Sequence, residues 1–275
     1  MSAQQSLRDV QEKILHIMKF IDKLCRENGI IYYIMGGTAL GAIRHGGFIP
    51  WDDDLDIFMT PQEYRKFKSL LEKTKSEQFV LQEWSTVKGY VEYAKVRMND
   101  TTFIEEAVMD RHDMHHGIYV DIMILHKVPE SKLIQRVVYI ASKFVTLYAL
   151  SQRNWNPKTR MQAFVLNFSK LLPRQTLARW SYKLIYRYED LKEKFKFCYW
   201  ITPAKFRQGL FDPEFFMHPV DVKFENLVLY GSKHIKEYLE YRYGDYMKLP
   251  PESMRAASVH AHIFDINKDY THYLN

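Results

Sequence analysis

The residues most suited to chemistry in this chain are aspartates. In Trp51-Asp52-Asp53-Asp54-Leu55-Asp56-Ile57, strand alternation puts Asp54 and Asp56 on one face while Leu55 and Ile57 point to the core. Neighbouring carboxylates repel, and the arrangement is stable when cations bridge them; Mg²⁺ suits, because it takes oxygen ligands and keeps waters for substrate phosphates. A third carboxylate, Asp121, interrupts the apolar run from Gly117 to Leu125. Buried without a partner it would cost on the order of several kcal/mol, so it needs a metal or strong hydrogen bonds. Three such residues on adjacent strands make a two-metal phosphoryl-transfer site. Gly36-Gly37, after a short apolar run, lets the backbone approach a phosphate closely, and the helix behind it offers unpaired N–H groups. Taken singly, the Asp run reads equally as a solvated turn and Asp121 as a hydrogen-bonded core residue. The three features together, in this order, point to phosphoryl transfer.

Cations accompany the carboxylates. Lys95 and Arg97 lie two apart on a strand and share a face, a geometry that can grip a pyrophosphate and neutralise a leaving nucleotide. Of His112, His115 and His116, the first two are expected in solvent, and His116, beside the Asp121 strand, is a phosphate or acceptor contact.

Positioning these groups requires a particular set of elements. Leu7, Val10, Ile14, Ile17, Ile21 and Leu24 recur at three- and four-residue steps, predicting an amphipathic helix over 6–28 closed by Gly29. Ile30 to Met35 reads as a strand, Thr38 to His45 as a short helix, and Asp54 to Met59 as a strand. Thr60-Pro61-Gln62-Glu63 has capping-box spacing and starts a helix to about Lys73. Phe79–Trp84, Val91–Met98 and Gly117–Leu125 are further strands; 131–196 turns helical; Lys223–Tyr230 is a strand and Lys233–Tyr243 a helix. The expected fold is α/β (α+β), a mixed sheet core with flanking helices and a basic helical insertion. Its parts are an N-terminal helix (1–29), a catalytic core (30–130), the insertion (131–210) and a C-terminal part completing the catalytic unit (211–275).

Bulk properties agree with one soluble catalytic unit. The chain has 275 residues, 47% hydrophobic and 26% charged, with a net charge of +6. Cys25 and Cys198 are the two cysteines, without zinc spacing, so neither a disulfide framework nor a cysteine metal site is expected, and a reducing cytoplasm fits. The opening MSAQQSLRDVQEK does not read as a secretory signal, and no uncharged run reaches the ~20 residues of a membrane span. Charge is unevenly spread: residues 131–210 carry 16 Lys and Arg against Glu189, Asp190 and Glu193. On a helical wheel for 131–150, Lys132, Arg136 and Lys143 fall together, flanked by Gln135, Ser142 and Thr146, and the rest is apolar. Two readings stand: a helix packed on two sides, or one lying in a membrane interface with its cations on anionic lipid.

The run Met35-Gly36-Gly37-Thr38-Ala39-Leu40-Gly41-Ala42-Ile43-Arg44-His45-Gly46-Gly47-Phe48-Ile49-Pro50-Trp51-Asp52-Asp53-Asp54-Leu55-Asp56 closely resembles the signature of the LicD family of phosphocholine transferases. The likeness continues through Lys95-Val96-Arg97, His116 to Asp121 and Tyr243-Gly244-Asp245-Tyr246. It implies a nucleotidyltransferase-like fold, distantly related to fukutin-related protein. It also implies Asp54, Asp56 and Asp121 as catalytic metal ligands for one or two Mg²⁺ ions, with Mn²⁺ able to substitute. Gly36, Gly37, Thr38, Arg44, His45, Lys95, Arg97 and His116 become the substrate-binding set. The activity implied is transfer of phosphocholine, or a related phospho-alcohol, from CDP-choline or another CDP-alcohol with release of CMP. The acceptor would be a sugar hydroxyl of a lipid-linked cell-surface glycan, teichoic acid or lipopolysaccharide precursor. The enzyme would then work in the cytoplasm, peripheral on the inner face of the plasma membrane, with no nucleic acid as partner. The alternatives are nucleotidyl transfer from an NTP with release of pyrophosphate, and a non-catalytic nucleotide- or lipid-binding protein. A choline head would suit an aromatic box, but 41 aromatic residues leave its members unchosen.

Overall fold

The computed structural model describes residues 3–83, 93–151, 174–202, 204–255 and 259–274. Trp84 and Val91, the expected outer ends of two strands, and 152–173 of the expected helical stretch lie outside them.

The N-terminal periodicity produces α1 (Ala3–Glu27). It buries Leu7, Val10, Ile14, Ile17, Ile21 and Leu24, each side chain contributing about 1.5–3 kcal/mol of transfer free energy. Gly29 follows at φ 62°, in the left-handed region that ends helices. Then come β1 (Tyr33–Ile34), α2 (Gly36–His45), β2 (Asp56–Met59) and α3 (Pro61–Thr74). α3 starts as its sequence requires: the Thr60 hydroxyl accepts from the Glu63 N–H and Pro61 opens the first turn. β3 (Phe79–Gln82), β4 (Ala94–Met98), β5 (Thr102–Glu105) and β6 (Tyr119–Ile124) follow.

The central sheet has the order β1-β2-β6-β4-β3. β2 and β6 run parallel at its middle, with antiparallel strands on either side. This is the mixed α/β core expected. α1 packs against β6 and β4, so alternate residues such as Val96, Val120 and Ile122 are buried and the acidic residues are left for the other face.

The insertion is not uniformly helical. It holds α4 (Lys132–Leu150) and α5 (Arg174–Tyr186), packed on each other, and β8 (Phe195–Cys198), which joins β7 (His126–Pro129) before it and β9 (Leu210–Phe211) at its end in a second sheet. Around them Val128, Val138, Val145, Ile185, Cys198, Trp200 and Ile201 form a separate apolar cluster. The helical pattern expected to about Lys196 therefore ends at Tyr186, and Phe195-Lys196-Phe197 alternates as a strand instead. Both thiols are buried and unlinked, and burial pushes each above the usual cysteine range.

Lys223–Tyr230, expected as one strand, is a hairpin of β10 (Pro219–Phe224) and β11 (Leu227–Ser232). Glu225 turns the chain at φ 54°. An apolar run on both sides of Glu-Asn looked continuous because the turn lacks glycine. α6 (Ile235–Tyr243) and β12 (Ala261–Asp265) complete the fold, the latter pairing antiparallel with β5.

Candidate active site

The parallel pairing of β2 with β6 sets Asp56 directly opposite Asp121, and the Asp121 N–H donates to the Leu55 carbonyl at 3.0 Å. Leu55 and Ile57 are fully buried while Asp54 and Asp56 keep partial exposure, as alternation requires. All three expected carboxylates therefore lie at one end of the central strands, near enough to raise one another's pKa. Asp52 and Asp53 extend the cluster, and the Gln11 side-chain amide donates to the Asp52 carbonyl at 2.8 Å, tying the loop to α1.

α2 abuts the cluster by its N-terminus. Gly36 adopts φ 54° and its N–H donates to the Tyr238 hydroxyl at 3.1 Å; a Cβ there would stand 3.7 Å from an Asp56 carboxylate oxygen. The Thr38 hydroxyl accepts from the Asp56 N–H at 2.8 Å, so Thr38 acts by fixing the start of β2. Gly41 is needed for a different reason: a Cβ would lie 2.4 Å from the Gly47 carbonyl oxygen, and this contact folds the loop that carries the aspartates back on α2.

Lys95 pairs with Asp121 in the β4–β6 register, its Nζ 2.8 Å from Asp121 Oδ1 and 3.2 Å from the Tyr119 ring centroid. It is 2% exposed. Burial pushes the ammonium below the usual lysine range against the pull of Asp121 and Glu105. Arg97 shares the strand face, as expected, but its guanidinium is fully buried beneath Tyr119 and donates to the Gly117 carbonyl at 2.7 Å. Its charge still reaches Asp121. His116 is fully buried, its Nε2 2.7 Å from the Arg111 carbonyl and its ring against Tyr270. His112 is exposed, as expected; His115 is not, because it packs on Tyr270 and reaches Asn99 at 2.9 Å, and burial lowers it to about 4. Lys95 thus joins the carboxylates, whereas Arg97 and His116 form a neighbouring buried group.

Arg44 and His45 stand at the other side. Arg44 donates to the Tyr246 carbonyl at 3.0 Å and to His45 Nε2 at 2.9 Å. With Trp51, Tyr243, Asp245 and Tyr246 it lines an open groove. Tyr243 reaches from this groove to Gly36, its hydroxyl 3.8 Å from where a Gly36 Cβ would be.

A further group comes from the far C-terminal part. The pairing of β12 with β5 brings His260 to the loop, where its backbone N–H donates to Asp53 Oδ2 at 2.5 Å and its Nδ1 contacts Asp53 Oδ1. Hydrogen bonding to Asp53 raises the imidazole to about 9, so it is a cation at neutral pH beside Asp52 and Asp54. No sequence signal marks His260, since 207 residues separate it from Asp53.

The electrostatics are those of crowded acids. Burial, then the neighbouring carboxylates, raises Asp54 to about 7 and Asp52 to about 6. Burial likewise raises Asp56 and Asp121, the latter against the pull of Lys95. Among the described residues neither Asp54 nor Asp56 has an ion-pair partner, and no three acidic, histidine or thiol groups converge as a ready-made metal cage. An oxygen-only donor set with excess negative charge fits a hard divalent cation that completes its shell with water and substrate.

Residues 29–135 match the model of the LicD/FKTN/FKRP nucleotidyltransferase domain. Over 261 residues, 90% of this chain and 93% of the relative, the chain is 27% identical to the lipopolysaccharide cholinephosphotransferase LicD of Haemophilus influenzae. It is also 30% identical over 133 residues to the uncharacterized protein RP689 of Rickettsia prowazekii, spanning 46% of that protein. A shorter likeness, 55% over 29 residues, is to human ribitol 5-phosphate transferase FKRP, 6% of which is covered. The matched segment holds the Gly-Gly turn, the three aspartates and Lys95, and it is similar to the nucleotidyltransferase domain of the LicD family.

Proposed function

We propose that this chain is a phosphotransferase that moves phosphocholine, or a related phospho-alcohol, from a CDP-alcohol to a sugar hydroxyl of a cell-surface glycan precursor. The observation that carries the reading is the electrostatic coupling of Asp54, Asp56 and Asp121 on neighbouring strands beside the N-terminus of α2. The end-to-end similarity to a cholinephosphotransferase supports it.

In this reading the N–H groups of the first turn of α2 beyond Gly36, whose own N–H goes to Tyr238, face the donor's phosphates. Gly36 keeps that approach open, and Thr38 holds Asp56 in place. Arg44, Trp51, Tyr243 and Tyr246 offer one cation and three aromatic faces to the rest of the donor. Asp54 and Asp56 would hold Mg²⁺, with Asp121 as third carboxylate; the ion, when bound, supplies charge neutralisation on the phosphates. The acceptor oxygen forms a bond to the β-phosphorus as the bond from that phosphorus to the bridging oxygen breaks. CMP leaves with the electron pair, and the hydroxyl proton passes to a carboxylate, Asp121 in this assignment. Lys95 keeps Asp121 oriented, and His260 sets a positive charge at the cluster's edge.

Phosphorus NMR of the purified protein with Mg²⁺, a panel of CDP-alcohols and a lipid-linked glycan fraction tests the proposal. CMP and a new phosphodiester are expected. Pyrophosphate released from an NTP, with no CDP-alcohol consumed, would overturn it.

A further inference from the structure

Helix α4 is built inside out. Its buried positions are Gln135, Val138, Ala141, Ser142, Val145, Thr146 and Ala149, which fall on one side of the wheel at 100° per residue. Three of them are polar and find partners inside: Gln135 Nε2 donates to the Pro129 carbonyl at 3.0 Å, and Ser142 and Thr146 bond back to carbonyls of their own helix. The opposite side carries Leu133, Val137 and Ile140 on successive turns, 73%, 46% and 56% exposed, continued by partly exposed Phe144 and Leu147. A surface helix ordinarily turns its apolar stripe inward. Here Leu133, Val137 and Ile140 look outward while Gln135, Ser142 and Thr146 are turned in.

Cations border this stripe. Lys132 and Arg136 are exposed along its edge. Lys143, which the wheel groups with them, is committed elsewhere: its Nζ donates to the carbonyls of Thr202 at 2.6 Å and Ala204 at 2.8 Å. On the adjacent α5, Trp180 is 67% exposed with Lys183 over its ring, a pairing suited to the headgroup level of a bilayer, where an amphipathic ring and a lysine are both at home.

From this geometry we infer that the outward face of α4 docks the protein onto an anionic lipid surface, Leu133, Val137 and Ile140 entering the acyl boundary and Lys132 and Arg136 meeting headgroup phosphates. With an 18-residue stretch of mean hydropathy 1.3, the helix is long and apolar enough to be weighed as a membrane span. Its inner face, however, packs on α5 and β7 around Val138 and Val145. It therefore lies in the interface plane, not across the membrane. Charge complementarity selects the occupant: a bilayer with anionic headgroups satisfies both the apolar stripe and its basic border, and an apolar protein partner satisfies only the first.

The test is co-sedimentation of the full chain with vesicles of equal parts phosphatidylglycerol and phosphatidylcholine, or of phosphatidylcholine alone. The wild type is expected to pellet with the anionic vesicles, about tenfold less with the neutral ones, and progressively less as salt rises. L133S/V137S/I140S should lose binding by at least about tenfold, and K132Q/R136Q should lose the preference for anionic lipid while keeping some apolar binding. All five positions are exposed, so circular dichroism and melting should match the wild type. The inference is overturned if the wild type pellets with neither vesicle, the result expected if another part of the chain covers the stripe. It is equally overturned if the triple variant still pellets, or if sedimentation velocity shows a dimer that the triple variant abolishes while vesicle binding is absent.

Discussion

Replacing Lys95 with Met isolates the charge balance of the site. Lys95 and Asp121 form an ion pair at 2.8 Å with both side chains almost fully buried. Methionine matches the stem of lysine and removes its charge and its hydrogen bond, leaving Asp121 facing Asp54 and Asp56 with the charge of Arg97 still within reach. An uncompensated buried carboxylate of this kind costs about 3–5 kcal/mol, but Asp121 can escape by protonation. Holding a carboxyl protonated in the native state, when its unfolded pKa is ~3.9, costs ~1.36 kcal/mol for each pH unit above that value. The destabilisation is therefore capped at ~4 kcal/mol at pH 7 and ~1.5 kcal/mol at pH 5. The sign follows from linkage: the variant's native state binds the extra proton, so its stability relative to wild type falls as pH rises. The other raised carboxylates titrate in both proteins, so much of their contribution drops out of the difference. K95M/D121N, which removes both charges, should recover much of the loss. Urea unfolding followed by tryptophan fluorescence at the two pH values measures it. A loss that is equal at pH 5 and pH 7, or no recovery in the double variant, would refute the ion-pair account.

Three other outcomes are expected. Asp54→Asn and Asp56→Asn each should abolish transfer with the fold intact; retention of more than about a tenth of wild-type kcat at saturating Mg²⁺, a loss of at most ~1.4 kcal/mol, is too little for a metal ligand. Thr38→Val should cost ~1–3 kcal/mol by orphaning the part-buried Asp56 N–H, and Thr38→Ser should recover most of it; equal melting of the two variants speaks against that role. Asp53→Asn should return His260 from about 9 toward its ordinary 6.5, read by proton NMR titration. Because the folded value lies above the unfolded one, the stabilisation His260 gives is full below about 6.5 and fades as pH rises through about 9. A titration of His260 unmoved by the substitution contradicts the pairing.

What the sequence determined by itself was local. The period of Leu7 to Leu24 specifies α1, Thr60 to Glu63 specify the start of α3, and alternation places Asp54 and Asp56 together with Leu55 and Ile57 turned away. Each rests on contacts within a turn or between next-nearest residues, where spacing alone fixes geometry. The tertiary structure decided everything that depends on which strands pair and which helix face is covered. Alternation gives Lys95 and Arg97 a common face but cannot say that β4 lies beside β6, so that Lys95 meets Asp121 while Arg97 is taken by the Gly117 carbonyl. His260 reaches Asp53 only because β12 adds to β5. The wheel of α4 shows a narrow polar strip and a wide apolar arc, yet Gln135, Ser142 and Thr146 are buried and Leu133 and Ile140 are not. Side-chain polarity states what a face prefers; the partners offered by the rest of the chain, here the Pro129 carbonyl and the wall of β7 and α5, determine which face is covered.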